Sequence, residues 1–204
     1  MISTPYDSIA ERFNADRTRL YPKEREYLAL LLDPLTGPGT ILDLGCGTGN
    51  PIAMHIAFRG HRLVGVDGSE AMLAIARKQL PGHRWIHELM ERVEFDETFA
   101  AVVCWDSLFH LPRQQYQPVI SKIHRWLAPG GRLMVSSGFL VDENEGGFTD
   151  TMFGHEFFYD SLPPKRMVAM MEETGFDILV AEVCDQPDGG RNKGKWATVA
   201  AKKA

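Results

Sequence analysis

Residues 41–51, Ile-Leu-Asp-Leu-Gly-Cys-Gly-Thr-Gly-Asn-Pro, constrain the fold of this chain more than any other segment. The apolar run 40–44 predicts a short strand, and the three alternate glycines that follow predict a tight turn where main chain can approach a ligand closely. Pro51 suits the first position of a helix. A strand, a glycine turn and a helix in this order indicate a loop that binds a nucleotide cofactor.

The spacing of the glycines indicates which cofactor this loop binds. Dinucleotide-binding enzymes favour G-x-G-x-x-G, whereas Gly45, Gly47 and Gly49 fall at every second position. Asp43 stands two places before the first glycine, where its charge would repel a phosphate but could contact an ammonium group. The loop therefore disfavours NAD, and with it the alternative of an NAD-dependent reductase.

Strand-like and helix-like runs alternate through most of the chain. The strand-like runs are near 40–44, 62–66, 84–87, 100–104, 131–137, 177–183 and 196–201. The helix-like runs are near 51–59, 69–79, 113–127 and 164–174. This order predicts an α/β fold with a doubly wound, mostly parallel sheet and a ligand beyond the carboxyl ends of the strands. Since no helix separates the last two runs, we expect an antiparallel pair at one edge.

Four segments resemble the class I (Rossmann-like) S-adenosylmethionine-dependent methyltransferases. Residues 43–49 are close to the first motif of that family, and residues 63–67 resemble its second strand, which ends in an acid. Residues 127–135 resemble its turn and strand after the fourth helix, and Gly175-Phe176 resembles its exit from the last helix. The resemblance covers roughly residues 38–180, which is most of the chain.

The resemblance implies a seven-stranded sheet with an antiparallel edge strand and S-adenosyl-L-methionine as the cofactor. The implied reaction transfers a methyl group to a small-molecule acceptor by in-line displacement and leaves S-adenosyl-L-homocysteine. The alternative is a regulatory protein of the same fold that binds either compound without turnover.

The resemblance also implies a set of cofactor contacts. Asp43 would bind the ammonium group, and Asp67 would accept both ribose hydroxyls unless it caps the next helix, for which Ser69 is the better candidate. Glu88 stands where the family often has an aspartate that holds the adenine amino group. The predicted cofactor-binding residues are Asp43, Gly45, Cys46, Gly47, Gly49, Asp67, Gly68, Met72, Glu88, Leu89, Trp105, Tyr6 and Arg17.

Methyl transfer from a sulfonium requires alignment and exclusion of water, and a base only if the acceptor arrives protonated. After the fourth strand, His110 is the candidate base and Asp106 could orient a donor. Equally open is a His110 that only hydrogen-bonds the backbone. His155, Glu156 and Tyr159 are alternative bases, and no metal site is expected.

Two segments flank the alternating core. Residues 6–32 predict one or two amphipathic helices. The resemblance implies that such a segment lies across the cofactor, where Tyr6, Arg12 and Arg17 could reach its carboxylate. Residues 139–163 form a long predicted loop rich in aromatic residues and methionine, which could cover the substrate. The predicted substrate residues are Phe109, His110, Phe139, His155 and Tyr159.

Composition is consistent with one globular enzyme domain. The predicted division of residues 1–204 is a helical cap at 1–35, a cofactor core at 38–138, a lid at 139–163 and a helix with a strand pair at 164–204. The three cysteines are odd in number and far apart, so we expect thiols.

Charge and hydropathy indicate the partners. A net charge of −5 with scattered basic residues argues for a small-molecule substrate and against nucleic acid. Segment 104–107 also lacks the Asn-Pro-Pro-aromatic pattern of enzymes that methylate nucleobase amino groups. The sequence shows neither a membrane span nor a secretory signal, so we expect a cytoplasmic monomer or homodimer.

Overall fold

The structure is a computed structural model that describes residues 2–139, 146–185 and 194–203. Its helices are α1 (Ala10–Asp16), α2 (Pro22–Leu32), α3 (Ile52–Phe58), α4 (Glu70–Gln79), α5 (Tyr116–Trp126) and α6 (Pro164–Thr174). Its strands are β1 (Thr40–Leu44), β2 (Arg62–Asp67), β3 (Arg84–His87), β4 (Phe99–Cys104), β5 (Leu127–Gly138), β6 (Phe148–Met152), β7 (His155–Tyr159), β8 (Phe176–Asp185) and β9 (Lys195–Lys202). Short 3₁₀ turns occupy Pro5–Ser8, Leu108–His110 and Arg113–Gln115.

Seven strands form one sheet in the order β3-β2-β1-β4-β5-β9-β8. The pairs from β3 through β5 are parallel, whereas β9 is antiparallel to both β5 and β8. The predicted doubly wound sheet and the antiparallel strand pair are therefore confirmed, with β9 inserted next to the edge strand β8. The strand order reverses between β1 and β4, where α/β sheets of this kind bind ligands.

Two apolar layers cover the two faces of the sheet. Along β1, Leu42 and Leu44 belong to the layer under α5 and α6, whereas Ile41 belongs to the layer under α2 and α3. The alternation follows from strand geometry, because successive side chains point to opposite faces. Both faces of β1 are thus buried, which fits a strand that is apolar apart from Thr40 and Asp43.

The amino-terminal helices are present as predicted. Tyr27, Leu28 and Leu31 of α2 recur at helical spacing and are each 0–1% exposed against the sheet. At the other end of the chain, α6 ends at Gly175 with a left-handed φ of 104°, so the predicted helix exit is also confirmed. None of the described helices is long and apolar enough to cross a membrane.

The segment predicted as a loop at 139–163 contains regular structure. Strands β6 and β7 pair antiparallel as a two-stranded hairpin, joined by Phe153 and Gly154. Both turn residues have positive φ, 53° and 84°, as the tight turns of two-residue hairpins require. The prediction of a loop was wrong over residues 148–159, because Phe-Gly is not one of the usual signals of such a turn.

Two neighbouring leucines of α2 provide a test of the packing. Leu31 is 0% exposed and Leu30 is 38% exposed. We expect Leu31→Ala to lower the free energy of unfolding by about 3 kcal/mol, because it removes buried surface and leaves a cavity. The matched Leu30→Ala should cost less than about 1 kcal/mol. Urea unfolding of the two variants checks this, and equal losses would contradict the placement of α2.

Candidate functional site

A cavity of about 630 Å³ lies at the carboxyl ends of β1, β2 and β4. Its wall combines the amino-terminal segment, the turn after β1, the segments after β2, β3 and β4, and the β6–β7 hairpin. The predicted site residues on this wall are Tyr6, Arg17, Asp43, Gly45, Cys46, Gly47, Asp67, Gly68, Met72, Glu88, Leu89, Trp105, Asp106 and His110. The fold therefore brings together residues that are up to 104 positions apart in sequence.

Asp43 presents a buried carboxylate to this cavity. The residue is 4% exposed, and no described residue donates a hydrogen bond to its side chain or pairs with it as a cation. Burial is the main cause that raises the pKa of Asp43 to about 7, and the negative charge of Asp67 adds to it. A desolvated carboxylate without a partner is costly, so this position fits a ligand that brings a positive charge with hydrogen-bond donors.

Asp67 ties two turns together at the edge of the sheet. Its Oδ2 accepts a hydrogen bond from the amide of Gly47 at 2.8 Å, and its Oδ1 accepts one from the amide of Ser69 at 2.8 Å. Burial raises the pKa of Asp67 to about 6 although both amides lower it. Ser69 itself caps α4 by accepting from the amide of Met72, as predicted. Each Asp67 oxygen keeps one lone pair, so a diol could still donate to this carboxylate.

The glycine turn is required for two different reasons. A Cβ on Gly45 would lie 2.2 Å from the Cβ of Ser107, so only glycine lets the turn pack against the end of β4. A Cβ on Gly47 would meet nothing within 4 Å, but its φ of 53° favours glycine. Gly49 has a φ of 79° and packs near Trp85, so it shapes the turn from behind the wall.

A third part of the wall, formed by Gly68, Met72 and Leu89, is mostly apolar. Met72 is 1% exposed, and a Cβ on Gly68 would lie 2.9 Å from Leu89. Glu88 folds back so that its Oε1 accepts from the amide of Leu89 at 2.9 Å. The arrangement leaves a slot between main chain and apolar side chains, beside one carboxylate, which fits a planar base.

Arg17 and Trp105 are held by a buried acid that sequence reasoning missed. Glu24 is 2% exposed and accepts hydrogen bonds from the Arg17 guanidinium, from Trp105 Nε1 at 2.9 Å and from the amide of Tyr21 at 2.9 Å. Glu24 lies three positions before Tyr27 and four before Leu28 on the buried stripe of α2. An acid within an apolar helical stripe was the available signal.

Asp106 adopts a left-handed backbone conformation with φ of 54°. Its amide donates to Ser136 Oγ at 2.7 Å, and Lys195 Nζ lies 2.7 Å from its Oδ1. Burial alone would lower the pKa of Lys195, but the Asp106 carboxylate outweighs it and raises that pKa. Sequence analysis did not select Ser136 and Lys195 as partners of Asp106. They lie on β5 and β9, and they come close to Asp106 only when these strands pair within the sheet.

His110 joins the amino-terminal segment to the hairpin. Its Nδ1 lies 2.9 Å from the carbonyl oxygen of Phe158, and its Nε2 lies 2.8 Å from the hydroxyl of Tyr6. Because a carbonyl only accepts, Nδ1 carries the proton of the neutral ring, and Nε2 accepts from Tyr6. Burial lowers the pKa of His110 and raises that of Tyr6, which favours this neutral pair. His110 therefore makes a backbone hydrogen bond and also bonds a side chain, and whether it acts as a base stays a prediction.

Four predicted substrate residues are not among the described residues that line the cavity. Phe109 and Tyr159 have ring centroids 5.8 Å apart, and each contacts His110 from outside. Phe139 stacks on Trp196 with centroids 6.4 Å apart. His155 pairs with Met152 next to the hairpin turn. Direct contact of these four side chains with a substrate stays a prediction.

The amino-terminal segment is anchored by a residue that sequence reasoning did not select. Asp7 Oδ1 accepts from Ser69 Oγ at 2.6 Å and from the amide of Ala71 at 3.2 Å, so Asp7 caps α4 from a distant part of the chain. Arg12 lies over the ring of Phe153 at 4.1 Å instead of on the cavity wall. Together these contacts hold the amino-terminal segment against both α4 and the hairpin.

Comparison with known proteins identifies the class. The family described as "Methyltransferase domain" matches residues 41–131. Trans-aconitate 2-methyltransferase of Acidovorax ebreus is 30% identical over 185 residues, which are 87% of this chain and 67% of that relative. Ubiquinone biosynthesis O-methyltransferase of Pseudomonas paraeruginosa is 32% identical over 156 residues, covering 68% of this chain and 65% of the relative.

The fold matches as well. The structure of 1,6-didemethyltoxoflavin-N1-methyltransferase from Burkholderia thailandensis, with bound 1,6-didemethyltoxoflavin and S-adenosylhomocysteine, gives a TM-score of 0.71 at 18% identity. The match covers 98% of this chain and 84% of that one. The chain belongs to the class I S-adenosylmethionine-dependent methyltransferases. It is an enzyme of that class, and its cofactor is S-adenosyl-L-methionine.

The raised pKa values of Asp43 and Asp67 predict that cofactor affinity depends on pH. Asp43 must be ionised to hold an ammonium group, so binding should strengthen as pH rises through about 7. We expect calorimetry with S-adenosylhomocysteine to give a dissociation constant at about pH 5.5 that is at least about tenfold weaker than at about pH 8.

The matched variant is Asp43→Asn, which keeps the shape and removes the charge. It should bind weakly and retain only the dependence centred near pH 6 that Asp67 supplies. A variant with the same pH profile as the unmodified protein would contradict the assignment of Asp43 as the titrating group.

Proposed function

We propose that this enzyme methylates a small molecule held in the cavity between its glycine turn and the β6–β7 hairpin. The observation that carries the proposal is the buried Asp43 carboxylate, which has no partner among the described residues and lies beside Asp67 in a walled cavity. Of the described residues, those within 38–138 hold the cofactor, while those within 1–35 and 139–163 close over it. The described residues within 164–204 complete the sheet.

The residues that line the cavity account for each part of the cofactor. Asp43 binds the ammonium group, and Asp67 accepts the ribose hydroxyls on the lone pairs that Gly47 and Ser69 leave open. Arg17 lies on the wall with its guanidinium held by Glu24, so it can bind the cofactor carboxylate without a large search of side-chain conformations. Gly68, Met72, Glu88 and Leu89 receive the adenine.

The cofactor supplies an activated methyl group on a sulfonium. The residues of the protein then have to align an acceptor with that methyl and keep water out. Tyr6 and Trp105 provide ring faces on the wall, and Asp106 is held in one orientation by Ser136 and Lys195. An acceptor that arrives protonated can pass its proton to the hydroxyl of Tyr6, whose own proton moves to Nε2 of His110.

Three observations favour a small acceptor over a macromolecule. The amino-terminal segment and the hairpin meet over the cavity, because the rings of Tyr6 and Phe157 are 4.8 Å apart. The chain has a net charge of −5, which disfavours a polyanion such as nucleic acid. The relatives above carry the names of a trans-aconitate and a ubiquinone-biosynthesis methyltransferase. We assign the enzyme to the cytoplasm as a monomer or homodimer.

Replacement of Asp67 tests the cofactor site. We expect micromolar binding of S-adenosylhomocysteine by calorimetry, and a loss of at least about 30-fold in Asp67→Ala, which removes the ribose acceptor and frees two amides. The exposed Asp177→Ala is the control and should bind unchanged, since Asp177 lies on β8 far from the cavity wall. Failure of the well-folded unmodified protein to bind would overturn the proposal.

Removal of one hydroxyl tests closure over the cofactor. Tyr6→Phe keeps the ring against Phe157 but leaves Nε2 of His110 without its donor. We expect the affinity for S-adenosylhomocysteine to fall about fivefold, the usual size of one net hydrogen bond. Tyr21→Phe, at a position 52% exposed, is the matched control. If both variants bound equally well, the Tyr6 hydroxyl would have no part in closing the site.

A further inference from the structure

The charged residues on the cavity wall are strongly unbalanced. Six acids line it: Asp43, Asp67, Glu88, Glu91, Asp106 and Glu156. Among the described lining residues, Arg17 is the one permanently cationic side chain. His110 is kept neutral, because burial lowers its pKa. Such a wall favours cationic ligands and disfavours anionic ones.

Pairing with residues behind the wall removes only part of this imbalance. Lys195 neutralises Asp106, and Glu24 neutralises Arg17. No described lysine or arginine forms an ion pair with the remaining five acids. The cofactor accounts for three of them, since Asp43 faces its ammonium group, Asp67 its ribose and Glu88 its adenine. Glu91 and Glu156 are left without a counterion in the part of the chain that the structure describes.

Glu91 requires a donor that the described residues do not provide. Its Oε2 is buried and has no hydrogen-bond partner among them. The nearby Lys122 donates instead to the main-chain oxygen of Glu91 at 3.0 Å and pairs with Glu94 at 2.7 Å. A buried carboxylate oxygen that lacks a donor is costly, and a ligand that carries N–H groups would remove that cost.

Glu156 lies on the β6–β7 hairpin, where it lines the cavity and is exposed to solvent. It shares the wall with Phe157 and Phe158 of the same strand, and with Tyr6 and Phe13 of the amino-terminal segment. Aromatic faces next to a carboxylate are a favourable setting for an organic cation, which gains from both the charge and the ring electrons. The same setting offers an anion no donor.

We infer that the methyl acceptor is a basic amine, attracted by the unbalanced acidic wall of the cavity, in which Glu91 and Glu156 are the carboxylates that the cofactor leaves free. The inference rests on the proposed methyl transfer and adds its acceptor class. In the step, the bound ammonium group first passes a proton to the hydroxyl of Tyr6, whose own proton moves to Nε2 of His110. The lone pair of the neutral amine then forms the new bond to the methyl carbon. The carbon–sulfur bond breaks with its electron pair left on sulfur, and the positive charge passes from sulfur to nitrogen.

This charge balance is what distinguishes an amine from an anionic acceptor. With an amine, the positive charge stays inside the acidic wall before and after transfer. With a carboxylate or phenolate, the sulfonium charge would be cancelled, and the uncompensated carboxylates would face a neutral product. Binding an anion would also require its desolvation next to Glu91 and Glu156, which is repulsive at short range.

Ligand binding to the protein saturated with S-adenosylhomocysteine tests the inference with simple model compounds in place of the natural acceptor. The probes are 2-phenylethylamine, its carboxylate counterpart 3-phenylpropanoate, and trans-aconitate, each titrated by calorimetry to about 10 mM. We expect the amine to bind at least about tenfold tighter than either anion, a difference of about 1.4 kcal/mol. Tighter binding of an anion, or no binding of the amine, would overturn the inference.

Two variants test whether the carboxylates of Glu156 and Glu91 contribute to amine binding. Glu156→Gln and Glu91→Gln should each weaken amine binding about fivefold while the affinity for S-adenosylhomocysteine stays unchanged. Glu172→Gln, on an exposed position of α6 away from the wall, is the matched control. Amine binding that survives both wall substitutions would sink this assignment. If the unmodified protein did not bind S-adenosylhomocysteine, the proposed function itself would be overturned. This outcome differs from failure of the amine inference, in which S-adenosylhomocysteine still binds.

Discussion

The carboxylate of Asp67 is the constraint on which the rest of the site depends. It accepts one amide from the turn after β1 and one from the turn after β2, so it holds two loops at a fixed distance. Both loops end strands that are paired in register, since Asp43 lies opposite Gly65. These two hydrogen bonds set the geometry of the ligand-binding edge, and burial of the acid strengthens them.

Closure of the site depends on contacts between segments that are far apart in sequence. Asp7 caps α4, Tyr6 donates to His110, and His110 donates to the main chain of Phe158. The first two contacts join the amino-terminal segment to different parts of the wall, and the third joins His110 to the hairpin. Both ring nitrogens of His110 form hydrogen bonds within the protein. In the proposed reaction, His110 therefore accepts a proton from the hydroxyl of Tyr6 and not directly from the acceptor.

Sequence patterns predicted the fold because local and global signals agree. Buried strands such as β1 read as apolar runs, α2 repeats its apolar residues at helical spacing, and Gly175 marks the end of α6. The hairpin was missed because Phe153 and Gly154 reach positive φ without the usual turn residues. Its pairing is instead stabilised by neighbours such as Tyr159, whose ring stacks on Phe148.

The sequence by itself determined the cofactor class, because the glycine turn, Asp43 and Asp67 are local features whose chemistry needs only the strand and turn beside them. Tertiary structure decided everything that depends on burial and on partners distant in the chain. Glu24 reads as an ordinary helical acid until Arg17 and Trp105 converge on it. Likewise, Lys195 neutralises Asp106 only because β9 inserts beside β5, whereas Glu91 and Glu156 have no cationic partner among the described residues. The charge inside a cavity is a sum over side chains that folding brings together, and linear sequence does not contain that sum.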